Sequence, residues 1–88
     1  MKVVVNRCWG GFGLSQEAYK ALGLAWDGYG YASVERDDPK LVEVVERLGD
    51  RANGRHASLK VVEIPDGIDW EIDDYDGQET VRERHRSW

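Results

Sequence analysis

The chain of 88 residues contains one cysteine, one methionine, one phenylalanine and two prolines. A lone Cys8 excludes an internal disulfide and fits a reducing compartment. Cys8, His56 and His85 form no cluster with the spacing of a zinc site. Long apolar runs are missing as well. None approaches the roughly 18–20 residues of a membrane span, and residues 1–6 lack the apolar stretch of a signal peptide. A cytoplasmic protein with no membrane partner is the expectation. A basic footprint is also lacking: 12 Lys and Arg stand against 17 Asp and Glu, a net charge of −5. Direct nucleic-acid binding is therefore not expected.

What is present is an ordinary globular composition, 41% hydrophobic and 33% charged, which excludes a disordered acidic tail. Residues 1–88 read as a single domain. A chain of this size buries only about 60% of its unfolded surface, so a homo-oligomer is expected. The charge is unevenly placed. Residues 1–62 are close to neutral, whereas Glu63, Asp66, Asp69, Glu71, Asp73, Asp74, Asp76 and Glu79 follow with no Lys or Arg among them. Arg82, Arg84 and Arg86 then reverse the sign.

Residues 2–6 form a β-branched run, apolar on both faces, that reads as a central strand. Gly10, Gly11 and Gly13 stop it. A helix is predicted over 16–22, with Ser15 as N-cap, Glu17 at the positive end of the helix dipole and Gly23 at the exit. Residues 24–37 are rich in aromatics and glycine, with a short strand over 31–36. Asp38 and Pro39 open a second helix. Leu41, Val44, Val45, Leu48 and Ala52 share one of its faces, so its end is placed near Asn53, with Gly54 as a left-handed cap. Strands follow over 58–64 and 69–75, the latter with Trp70 and Ile72 on one face. Asp76-Gly77 is a two-residue hairpin signal, so 78–83 returns as a strand, a short helix being the alternative. The sum is an α+β fold in β-α-α-β-β-β order: a mainly antiparallel sheet with two helices on one face.

The segment Asn6, Arg7, Cys8, Trp9, Gly10, Gly11, Phe12, Gly13, Leu14, Ser15 is the first candidate site. Glycines between a strand end and a helix start let backbone N–H groups turn toward an anion. Arg7 supplies charge, and Trp9 and Phe12 supply stacking surfaces. No Gly-Lys-Ser/Thr follows, and the third glycine of a dinucleotide fingerprint is missing, so neither phosphate motif is matched. The competing reading is a tight strand-to-helix turn with aromatic anchors in the core.

This decapeptide resembles the opening of a group of short bacteriophage and prophage proteins, which begin Asn-x-Cys-aromatic-Gly-Gly-Phe-Gly/Ser-Leu-Ser. The resemblance continues in residues 38–46, 52–55, 59–65, 74–77 and the tail His85-Arg86-Ser87-Trp88, and is weakest over 24–34. It implies a phage-derived protein acting in the host bacterial cytoplasm. Small proteins of that kind are often inhibitors of host defence or sponges for its signals.

Three other features carry possible chemistry. A Cys8 thiolate near Arg7 would be a nucleophile with His56 or His85 as base, against the plainer role of a small packing residue. The acidic strip 63–79 would imitate a phosphate backbone, or simply keep an edge hairpin soluble. Arg82, Arg84, His85 and Arg86 would border an anion pocket beside Arg7 or Arg55, with Trp88 docked on its own domain or on a partner subunit.

The favoured reading is a non-catalytic binder of an anionic, nucleotide-like small molecule, with no cofactor. Its ligand set is Asn6, Arg7, Cys8, Trp9, Gly10, Gly11, Phe12, Gly13, Ser15, Arg55, His85 and Arg86, with Tyr29 or Tyr31 as further stacking residues. Set beside the phage resemblance, the ligand becomes a nucleotide-derived signal of host immunity. The alternative is a protein-binding inhibitor of a host defence or nucleic-acid enzyme, acting through the acidic hairpin or the aromatic loop 26–31. A small enzyme dependent on Cys8 ranks third.

Overall fold

The computed structural model describes residues 1–28, 30 and 34–84. The element order is β1 (Lys2–Asn6), α1 (Gln16–Leu22), α2 (Pro39–Leu48), a 3₁₀ turn (Gly49–Ala52), β2 (Leu59–Glu63), β3 (Trp70–Tyr75) and β4 (Gln78–Glu83). This is the expected α+β order. The four strands make two antiparallel ladders of two, β1 with β2 and β3 with β4.

Local signals set most of the element ends. The Ser15 hydroxyl accepts the Ala18 N–H at 3.0 Å, and Gly23 closes α1 with φ of 76°. Asp38 caps α2 by accepting from the N–H groups of Lys40 and Leu41, and Pro39 stands in the first turn. Asp76 and Gly77 have φ of 51° and 89°, the doubly positive turn that matches the twist of a two-residue hairpin.

The second helix ends earlier than expected. Gly49 takes φ of 58° and ψ of −130°, which stops α2 at Leu48. The 3₁₀ turn then carries Ala52 into the same core, so the apolar phase survives although the α-helix does not. Gly54 is no left-handed cap; it lies where the chain passes the backbone of Gly13. Val42 is buried beside the expected face. Of the strand expected over 31–36, the described part, residues 34–36, is not a strand, and 31–33 lie outside the described residues.

Helix α2 packs on both β1 and β2, and α1 packs on α2 and the 3₁₀ turn. The core between them holds Val4, Leu14, Ala18, Tyr19, Leu41, Val44, Val45, Ala52 and Leu59. Val3 and Val5, on the opposite face of β1 by strand alternation, are also fully buried.

The outer edge of β1 is closed by a different device. The Val4 N–H donates to the Arg36 carbonyl at 2.8 Å, and the Asn6 N–H donates to Glu79 Oε1 at 2.9 Å. Arg36 in turn holds Glu79 in a two-pronged pair, Nη1 to Oε1 at 2.5 Å and Nη2 to Oε2 at 2.9 Å. The Arg36 guanidinium lies 3.6 Å from the centre of the Phe12 ring. Glu79 was counted above with the surface carboxylates; its exposure of 4% and these contacts make it a core residue instead. Removing one partner of such a pair leaves an uncompensated charge, which typically costs about 3–5 kcal/mol. We expect Glu79→Ala to lose stability on that scale in urea denaturation, and the double change Arg36→Met, Glu79→Leu to lose clearly less. A double variant as unstable as the sum of the two singles would contradict this assignment.

Candidate functional site

A cleft of about 480 Å³ opens where three loop stretches meet. The backbone of Gly10, Gly11 and Gly13 forms one wall, and Asn53, Gly54, Arg55 and His56 form the facing one. Trp26, Gly28, Ser15 and Gln16 also line it.

The walls come together because glycine lets backbones touch. A Cβ on Gly10 would collide with His56, and one on Gly54 would collide with the backbone of Gly13. Cross-links then fix the arrangement. Gly54 N–H donates to Gly13 O at 3.0 Å, Leu14 N–H to Gly30 O at 2.8 Å, and Ser15 N–H to Ala52 O at 3.0 Å. Leu14 also bridges Asn53, whose side-chain Oδ1 accepts the Leu59 N–H at 2.8 Å. Trp26 stands edge-on to Tyr19, with ring centres 5.0 Å apart, and is 40% exposed on the cleft side of the molecule. The Tyr19 hydroxyl donates to Asp27, whose other oxygen accepts the Gly30 N–H at 2.7 Å.

Charge sorts this cleft from the rest of the protein. Among the described residues no Asp or Glu lines it, although the chain carries 17 of them. Arg55 and His56 are exposed at its wall, and neither makes a side-chain hydrogen bond or ion pair among the described residues. By contrast Arg51, nearby in sequence, pairs with Glu17 at 3.1 Å. The cleft thus offers an uncommitted guanidinium, an imidazole and an indole over a glycine wall. Those groups suit a molecule that joins an anion to a planar ring.

The expected ligand residues divide. Gly10, Gly11, Gly13, Ser15 and Arg55 line the cleft. Asn6 does not: it is fully buried, donating to the carbonyls of Cys8 and Gly77 at 2.6 Å each and accepting from Ser58 N–H at 2.8 Å. Phe12 is packed beneath Arg36 against the core. Arg7 and Trp9 are exposed and Cys8 is half-buried, all away from the cleft lining. His85 and Arg86 lie outside the described residues, as do Tyr29, Tyr31 and Trp88.

At the helix end of the glycine segment, the N–H groups of Leu14 and Ser15 are spent on the chain itself. The Ser15 hydroxyl is spent too, donating to Arg51 O at 2.5 Å while it caps α1. Among the described residues no hydrogen bond joins the Cys8 thiol to His56, and no group of three or more His, Cys, Asp or Glu residues is placed to hold a metal ion.

Trp26, Gln16, Gly28, Asn53, Gly54 and His56 were missed as lining residues. The signal for the facing wall was the turn-forming pair Asn53-Gly54 directly before Arg55 and His56, which helical phase had absorbed into a helix end.

No protein-family model, no curated protein and no solved structure matches the chain.

If the glycine wall depends on backbone contact, a single methyl group suffices to disturb it. Gly10→Ala should cost about 1–3 kcal/mol by overpacking against His56, read as a fall of roughly 4–8 °C in Tm per kcal/mol for a domain this small. An unchanged Tm would show that the two walls separate freely.

Proposed function

We propose that this protein is a non-catalytic binder that holds an anionic, nucleotide-like small molecule in the cleft between residues 10–13 and 53–56. The observation that carries the reading is electrostatic: in a protein of net charge −5, the lining has, among the described residues, an uncommitted Arg55 and no carboxylate. Arg55 would pair with a phosphate or carboxylate, His56 would add a second polar contact, and Trp26 would stack on the ring. The glycine wall lets a flat ligand approach the backbone closely.

Sequestration requires affinity and no general base. The resemblance to phage and prophage proteins extends the proposal to biology. There the ligand is a nucleotide-derived signal of host defence, and the protein removes it from the host cytoplasm, working as a homo-oligomer. Part of the acidic strip is internally engaged and is withdrawn from the inhibitor reading, whereas Asp74 and Asp76 stay exposed at the hairpin turn. Glu79 is buried with Arg36, Glu71 pairs with Arg82 at 3.1 Å, and Asp69 lies 3.8 Å from Arg84.

A thermal-shift panel of mononucleotides, dinucleotides, cyclic oligonucleotides and ADP-ribose derivatives tests the proposal. A true ligand at a hundred times its Kd adds about 2.7 kcal/mol, and it is recovered chemically unchanged. Arg55→Ala should weaken that ligand at least about tenfold, a loss of about 1.4 kcal/mol, and Trp26→Ala should weaken it by a smaller factor. Arg7→Ala, outside the lining, should bind normally. A flat panel, or a ligand equally bound by Arg55→Ala, rejects the cleft as the site.

A further inference from the structure

A second surface lies outside the lining of this cleft. Trp9 is 61% exposed and Tyr75 74% exposed, and their rings meet edge to face with centres 6.3 Å apart. Neither residue lines the cleft. Two large aromatics standing together in solvent are unusual for a chain with so small a core, since each would gain by burial.

The backbone that carries them is fixed. Asn6 donates one side-chain N–H to the Cys8 carbonyl and the other to the Gly77 carbonyl, so one buried amide pins the backbone beside both rings. Gly77 closes the remaining distance, because a Cβ there would collide with the backbone of Trp9 and Gly11. The hairpin turn is further fixed by the Gly77 N–H donating to Asp74 Oδ1 at 2.9 Å. A fixed backbone lowers the entropy lost on binding, and Trp and Tyr are effective anchors because their large rings have few rotatable bonds.

Charge selects the partner. Asp74 and Asp76 flank Tyr75 in sequence, are exposed, and have no cationic partner among the described residues. Arg82, the nearest cation along the ladder, is engaged by Glu71 at 3.1 Å and reaches Asp73 at 3.9 Å. Ring faces attract cations through their quadrupole, and the carboxylates beside them attract the same sign. A guanidinium satisfies both demands, since it stacks flat on a ring while its N–H groups pair with a carboxylate.

We infer that Trp9 and Tyr75, with Asp74 and Asp76, form a docking surface for an arginine-bearing basic segment of a partner protein. It uses residues separate from the cleft, so the two proposals stand or fall independently.

The test is ¹H–¹⁵N NMR on the full chain, with the Trp9 indole N–H assigned from Trp9→Phe. The probe is a capped Gly-Arg-Gly-Arg-Gly peptide, with the citrulline peptide as its neutral counterpart. The arginine peptide should shift the Trp9 indole and the Tyr75 amide saturably. The citrulline peptide should bind several-fold more weakly, and raising salt from about 50 to about 300 mM should weaken the arginine peptide. Trp9→Ala and Tyr75→Ala should each weaken binding by about threefold to fivefold, with folding of both verified by circular dichroism. Glu43→Gln, an exposed charge change on α2, should leave affinity unchanged. Four results would overturn the inference. These are absence of a saturable shift, equal binding of the citrulline peptide, unchanged affinity in both aromatic variants, or a Trp9 indole that shifts with protein concentration alone. The last would give the surface to a second copy of the chain.

Discussion

Glu79 stands on the second strand of a hairpin, yet its carboxylate ends at the edge of the first strand of the protein, 73 residues earlier. There it accepts the Asn6 N–H and both prongs of Arg36, whose own carbonyl takes the Val4 N–H. One ion pair therefore closes a strand edge and ties the β3–β4 ladder to β1. Burying two charges is costly, and attraction between them repays the cost only when their remaining hydrogen-bonding capacity is filled. Here the Asn6 N–H on one side and the Phe12 ring on the other supply part of what water would have supplied. Without this pair the hairpin would keep its internal ladder but lose a main polar tie to the rest of the domain.

Asn6 extends the same logic to the loops. Its side chain joins Cys8, Gly77 and Ser58, three stretches far apart in sequence, from a fully buried position. Around it the glycines at 10, 54 and 77 sit where backbones cross at distances no Cβ tolerates. A sequence rich in glycine after a strand invites comparison with phosphate-binding loops. In this protein much of the glycine serves chain crossing, and the cleft is what remains between the crossed segments.

The distribution of charge follows from these restraints. Glu71 on β3 pairs with Arg82 across the ladder and Asp69 lies beside Arg84 at its end, whereas Asp74 and Asp76 stay in solvent at the hairpin turn beside Tyr75. In the cleft, Arg55 and His56 find no acidic neighbour among the described lining residues. One small domain thus presents a local surface suited to an anion and another suited to a cation. Arg51, held by Glu17, shows how a neighbouring arginine is withdrawn from such a role by a single carboxylate one helix away.

Features governed by neighbours in the chain were legible from the residues alone. Ser15 and Gly23 bound α1 where expected, Asp38 and Pro39 start α2, and Asp76-Gly77 turns the hairpin, because capping and turn geometry act over two to four residues. The end of α2 was misjudged, because hydrophobic phase persists through a 3₁₀ turn and cannot register the positive φ of Gly49. The site was half legible. The glycine segment and Arg55 were visible as residue types, whereas Trp26 and His56 join them through contacts that local pattern does not encode. Sequence by itself determined the β-α-α-β-β-β order, most element starts and the net acidity, all of which depend on local propensity and composition. Only the tertiary structure decided that Glu79 is buried rather than displayed, that Asn6 is a fastener rather than a ligand contact, and that Arg55 lines a cleft with no acid among its described residues. Each of those outcomes depends on which distant backbones meet, and that is set by packing the whole chain at once.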